Sequence, residues 1–312
     1  MTAENREEQE VSEQEVTQYD RQIRLWGLDG QKRLRNSKIC VIGLSSLGSE
    51  IVKNLTLAGV GEMVLMDDRK VDEKTLLMTR DGGNFFRANF GTAFENRASA
   101  SLDRVQELNP NVKVFIAPGF TSDKNLDFFK NFSLVVIAVI LPKDELLRIT
   151  GILREGGIKH IVGATFGMYG FGFNDFLEHE YSLTKNEKTE LRKISFKPLS
   201  EAINYSENEV TFPKRYKKNK VRVALNLYEA YISEDFKAKF AEFESLKGIE
   251  DWGEEFEGDI PPIGAIVGGL MGQEAIKAIG QKERPIYNTL LFDGDRMDAK
   301  ELLLPRGDPK EI

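Results

Sequence analysis

Gly43-Leu44-Ser45-Ser46-Leu47-Gly48 stands between a short apolar run and an amphipathic stretch, where a nucleotide-binding chain carries its glycine loop. In a working G-x-G-x-x-G loop each glycine has its own task. The first makes a tight turn, the second lets a pyrophosphate approach the backbone, and the third lets helix and strand pack closely. Gly43 and Gly48 occupy the first and third places, and Ser45 fills the second. The missing glycine is therefore the one that serves the ligand. Asp67 lies nineteen residues after Gly48, at the end of the next apolar run, where an acid would meet a ribose. These residues read as a structural turn that keeps its packing glycines, with a working NAD or ATP site as the alternative.

Other reactive side chains are few. Cys40, the single cysteine, falls inside an apolar run, where a thiol behaves as a small hydrophobe; it excludes an internal disulfide and fits a reducing compartment. His160 and His179 have no cysteines near them, so no zinc site is expected. Asp144, Glu145 and the scattered carboxylates show no paired arrangement for acid–base work. Arg21, Arg24 and Lys32 read from their own surroundings as surface charges on an amphipathic helix. Pro213 to Lys220, PKRYKKNK, holds five basic residues among eight, which suits a solvated edge, an electrostatic contact or a nuclear-import signal. Gly264, Gly268 and Gly272 recur every four residues and form a small-residue helical face, with Gly269 beside them, for packing on a sheet or on a partner.

The elements that must position these residues follow from periodicity. The stretch before the loop predicts a helix carrying Tyr19, Ile23 and Trp26 on one side and stopping at Gly27. Strands are expected over 38–43, 62–67, 112–117, 134–139 and 160–165, with helices over 46–57, 97–108 and 143–155. Apolar strands alternating with amphipathic helices indicate an α/β fold, a doubly wound, mostly parallel, Rossmann-like sheet. The alternation stops near Glu178 and resumes with PPIGAIVGGLMGQEAIKAIG and YNTLLFDG. The expected organisation is a disordered acidic tail (1–16, six glutamates and one arginine), a sheet domain (17–177), an inserted domain (178–259) and the C-terminal part of the sheet domain (260–312). The 312 residues are 41% hydrophobic and 30% charged, enough for a sizeable core. The net charge of -7 argues against nucleic acid, and no apolar run is long enough to span a membrane.

YDRQIRLWG (Tyr19 to Gly27), the loop with Ser45 and IVKNLTLAGVGEMVLMDD (Ile51 to Asp68) together resemble the ubiquitin-like-protein activating enzymes. Phe166 to Tyr181 and Pro261 to Gly294 extend the match over nearly the whole chain. Within that family the similarity is to the small, non-catalytic subunits of SUMO-activating enzymes. The resemblance implies a heterodimer in which a large catalytic subunit binds Mg-ATP, adenylates SUMO and transfers it to a cysteine. The inserted segment would then match half of the catalytic-cysteine-type domain, without the cysteine. It further implies that Arg21 reaches in trans into the partner's ATP site, and that the complex is nuclear, with some in the cytoplasm.

The adenylating half of the family resembles an intact glycine loop, then D-x-D, N-x-N-R-Q, a basic residue, and L-D-N after the fourth strand. In this chain Asp67 matches the first acid and Arg69 replaces the second. Thr75 to Thr79 lacks both asparagines and has Met78 in place of the arginine; Arg97 keeps a positive charge; Val139-Ile140-Leu141 replaces L-D-N. Magnesium takes oxygen ligands and Ile140 supplies none, while Met78 offers a phosphate no donor. The resemblance therefore implies a pseudo-adenylation domain that binds no nucleotide or metal itself. The alternative is a self-sufficient enzyme of the same fold, a homodimeric adenylyltransferase or an NAD-dependent oxidoreductase.

Overall fold

The computed structural model describes residues 10–70, 84, 86, 96–185, 188–203, 225–230, 232–234 and 260–302. Five parallel strands form the centre: β1 (Lys38–Ile42), β2 (Glu62–Met66), β3 (Lys113–Ile116), β4 (Leu134–Ile137) and β5 (Lys159–Phe166). Three antiparallel strands, β6 (Tyr169–Asp175), β9 (Thr289–Asp293) and β10 (Asp298–Leu302), extend one side. The eight strands run in the order β10-β9-β6-β5-β4-β1-β2-β3. The mostly parallel α/β sheet expected from the sequence is present. The turn to antiparallel pairing at β6 is an addition, made by a tight reversal after Phe166.

The sheet is covered on both faces because its central strands are apolar on both. Along β1, Ile39 and Val41 enter one core cluster and Cys40 and Ile42 the other, the two-residue alternation of a pleated strand. The first cluster is closed by α3 (Ser46–Ala58), α4 (Arg97–Leu108) and α8 (Pro261–Gly280), and the second by α5 (Leu126–Phe129) and α6 (Lys143–Glu155). Helices α4 and α6 keep the expected bounds, and α4 starts at an Asn96 cap whose side chain accepts from Ser99 N–H.

The N-terminal region differs from its expectation at its start. Helix α1 (Glu13–Gln18) begins inside the stretch read as an acidic tail. Ser12 and Glu15 form a reciprocal capping box, and Glu15 then pairs with Arg35 at 2.8 Å. Gly27 breaks the next helix as expected: its non-helical backbone (φ 79°, ψ 164°) divides α2 (Asp20–Arg35) into two helical pieces that meet at a kink. The kink is held from both sides, because Trp26 Nε1 donates to Gln31 Oε1 (3.0 Å) and Gln31 Nε2 donates to the Ala58 carbonyl (2.9 Å).

From 178 onward the described residues form a hairpin, β7 (Glu178–Lys185) with β8 (Lys188–Ser195), then α7 (Leu199–Ala202) and a helical piece at 225–230. These pieces share the cores of the sheet. Tyr181 and Ile194 of the hairpin join the α3–α8 cluster, and Tyr228 stacks on Phe171 of β6 at 4.0 Å. The small-residue face of α8 packs on neither the sheet nor a partner. Gly264, Gly268 and Gly272 lie against Ser46, Glu50 and Asn54 of α3, so the face serves a helix–helix contact within the chain. A Cβ on Gly268 would stand 2.8 Å from Glu50 Cβ, which is why the two backbones approach so closely.

Candidate functional site

The glycine loop joins β1 to α3 as expected. Gly43 has φ 95°, and a Cβ there would fall 2.8 Å from the Ala138 carbonyl oxygen. A Cβ on Gly48 would collide with the Gly43 carbonyl. Both glycines are thus required by the fold itself, whatever the loop binds. Ser45 caps α3 in an extended conformation and lines a cavity with Leu47, Arg69, Val139 and Ile140. That cavity measures about 80 Å³, against roughly 300–1,000 Å³ for small-molecule sites.

Asp67 does not stand open to a ribose. Its carboxylate is buried and receives Arg69 as a fork, from Nε at 2.8 Å and from Nη2 at 2.6 Å. The Leu44 amide of the glycine loop donates to the same carboxylate at 2.7 Å, and the Arg69 amide at 3.2 Å. The residue replacing the family's second acid therefore turns back onto the first. Asp68 is also engaged, accepting from Asn96 Nδ2 (2.9 Å) and the Gly119 amide (2.8 Å), which ties β2 to α4 and to the loop after β3. Arg97 is buried in the first turn of α4 and donates its backbone amide to the Arg69 carbonyl (3.0 Å).

Gly43, Ser45, Gly48, Asp67 and Ile140 are thus brought together at one end of the sheet, while Met78 lies outside the described residues. These residues do not fit Mg-ATP. Among the described residues no carboxylate lines the cavity, Ile140 offers no ligand atom, and Asp67 is engaged by Arg69. Among the described residues no group of three or more His, Cys, Asp or Glu side chains could hold a metal. Cys40 is fully buried in β1, and burial pushes its thiol up to about 12, so it holds no thiolate for transfer. The Arg69–Asp67 closure escaped the sequence reading; its only trace was the D-x-R spacing at a strand end.

Arg21 sits elsewhere. Tyr19, just before α2, is buried under Gly59 at the far end of α3, and its hydroxyl accepts from Asn109 Nδ2 at 2.8 Å. Gln22 Nε2 donates to the Leu57 carbonyl at 3.2 Å. Arg21, between these two anchors, is exposed and has no hydrogen-bond or ion-pair partner among the described residues. Arg24 beside it pairs with Asp20 at 2.8 Å. From Ser46 to Leu57, α3 spans about 17 Å at 1.5 Å per residue, so Arg21 stands roughly that far from its own glycine loop.

Comparison with known proteins identifies the family. The model of the ThiF family matches residues 19–310. Curated proteins similar to the chain include SUMO-activating enzyme subunit 1 of Xenopus tropicalis, 31% identical over 93% of this chain and 95% of the relative. The same subunit of Homo sapiens is 31% identical (91% and 93%), and that of Danio rerio 32% (91% and 93%). The solved structure of PaaA superposes with a TM-score of 0.58 at 15% identity, over 96% of this chain and 86% of that one, a likeness of fold alone. The resemblance carried by YDRQIRLWG and the segments after it is borne out by these relatives. With a family model spanning nearly all its residues and relatives above 30% identity along their whole length, the chain belongs to the ThiF family.

Proposed function

We propose that this chain is the non-catalytic subunit of a heterodimeric SUMO-activating enzyme. It supports adenylation and thioester activation of SUMO by a large subunit that holds Mg-ATP, and it supplies Arg21 in trans. The observation that carries this reading is the contrast between two arginines. Arg69 is spent on Asp67 inside the chain's own loop, whereas Arg21 is held out between two anchored residues, Tyr19 and Gln22, with no partner of its own among the described residues. A guanidinium keeps its charge and offers a rigid fork of donors, which suits charge developing on phosphate oxygens. Leu25, one helical turn beyond Arg21, is 70% exposed, and Leu28 is 42% exposed, so the helix that presents Arg21 also presents apolar surface for a partner. A nuclear location, through Pro213 to Lys220, belongs to the same proposal; that segment lies outside the described residues. A self-sufficient nucleotide enzyme would need Asp67 released and a ligand in place of Ile140.

The test is pyrophosphate exchange by the reconstituted pair. Arg21→Ala is expected to lower the exchange rate by about 10–10³-fold, with gel filtration still giving the heterodimer, and Arg21→Lys to recover only part. Calorimetric titration of the isolated chain with Mg-ATP is expected to give no saturable heat. An Arg21→Ala pair that assembles and exchanges at the wild-type rate overturns the role of Arg21, and micromolar Mg-ATP binding by the isolated chain overturns the non-catalytic reading.

A further inference from the structure

A second cavity, of about 300 Å³, opens at the end of the sheet opposite the glycine loop. It lies where α2 and α8 end and where β4 and β5 begin, and its lining includes Lys32, Arg33, Lys159, Asn36 and Ser133, with no carboxylate among the described residues. Three cations share one opening. Two of them also close the C-terminal end of α8: Lys159 Nζ donates to the Ala278 carbonyl at 2.7 Å, and Arg33 Nη1 to the Gly280 carbonyl at 2.8 Å. Those carbonyls fix the positions of the two cations and carry only partial charge, so they do not neutralise them.

Arg33 and Lys159 meet no anion among the described residues. Lys159 meets His179 Nδ1 at 3.2 Å, and burial together with Lys159 pushes that imidazole down to about 3, so it is neutral. Lys159 itself is pushed down to about 8, first by burial and then by Arg33, which marks a buried cation with no anion beside it. Arg33 makes no further hydrogen bond among the described residues, leaving guanidinium N–H groups for a ligand. Ser133 Oγ accepts from the Lys38 amide at 3.2 Å, which leaves its hydroxyl proton to donate. Lys32 pairs outward with Glu10 at 2.7 Å in an exposed contact that solvent screens. Fixed cations, a guanidinium fork and a hydroxyl in a concave site are the donors that bind phosphate oxygens.

We propose that this pocket binds a small phosphorylated anion of about the size of pyrophosphate, held by Arg33, Lys159 and Lys32. It is separate from the adenylation chemistry proposed above and does not depend on it. The test is calorimetric titration of the full chain with sodium pyrophosphate against sodium chloride of matched ionic strength. Saturable binding is expected in the wild type, weakened about tenfold by Arg33→Gln and by Lys159→Gln, the loss of one charge-assisted hydrogen bond each. Arg33 is exposed, so its variant tests the site even where Lys159→Gln loosens the fold. Glu10→Gln, which removes a carboxylate from the rim, is expected to leave binding as tight or tighter, and Arg69→Ala, at the glycine loop, to leave it unchanged. Heat that matches the chloride blank at millimolar pyrophosphate overturns the proposal, as does binding indifferent to Arg33→Gln.

Discussion

A single arginine takes up the acid at the glycine loop. Arg69 follows Asp67 by two residues, and its Nε and Nη2 reach the carboxylate that a ribose would need. The pair is asymmetric: the Asp67 side chain is 2% exposed and that of Arg69 is 32% exposed. Removing the arginine strands a buried charge that still keeps the Leu44 amide. Arg69→Ala is therefore expected to cost about 1–2 kcal/mol, less than the loss of a partner from a fully enclosed pair. Urea denaturation reads this directly. The same variant is expected to remain blind to Mg-ATP in calorimetry, because Ile140 still supplies no ligand. Recovery of nucleotide binding would mean that Arg69 alone closes the site.

At the scale of elements, α3 is where the chain's two ends meet. Its N-terminus receives the glycine loop, its C-terminus holds Tyr19, and its flank takes the small-residue face of α8. A Cβ on Gly264 would collide with Ser46 Oγ and stand 3.0 Å from the Leu47 amide nitrogen, whereas one on Gly269, on the neighbouring side of α8, would meet nothing within 4 Å. The two glycines are expected to part company under the same substitution. Gly264→Ala is expected to destabilise by about 1–3 kcal/mol through overpacking. Gly269→Ala is expected to stabilise by about 0.5–1 kcal/mol, from helix propensity and a less flexible unfolded chain. Thermal denaturation of both variants checks the contact; equal shifts would show that α8 does not seat on α3 through this face.

For the molecule as a whole, the two histidines make stability depend on pH. His160 is fully buried in β5, where burial lowers its pKa, and His179 in the hairpin is pushed down to about 3 by burial and by Lys159. In the unfolded chain both return to about 6.5. Below that value the unfolded state binds protons that the folded state refuses, so stability falls as pH falls from about 6.5 toward the folded pKa values. The slope approaches about 1.4 kcal/mol per pH unit for each histidine. Denaturation at pH 7.5 and 5.5 is expected to show this loss. His179→Gln, which keeps an acceptor for Lys159, is expected to recover about 1 kcal/mol of the difference. An unchanged pH dependence in that variant would remove His179 from the linkage.

Local pattern was enough for much of this protein. Apolar runs of strand length, helical periodicity and capping residues act within a few positions, so α4 and α6 were legible to the residue and the parallel strands to within one or two. The defects at Ser45 and Ile140 were legible too, because each is a side chain standing at a motif position whose chemistry demands another. What only the tertiary structure decided depends on residues far apart in the chain. The antiparallel strands β6 and β9 are as buried as the parallel ones, and only their hydrogen-bond partners tell them apart. The glycine face of α8 required some close neighbour, but a stripe of small residues does not name it; folding brought it to α3. Lys32 and Arg33 stand more than a hundred positions before Lys159, and the three share a pocket because the end of α2 and the start of β5 lie at the same edge of the core. Burial and long-range charge arise only when the chain closes on itself, and those quantities set both the lock on Asp67 and the charge left over beside α8.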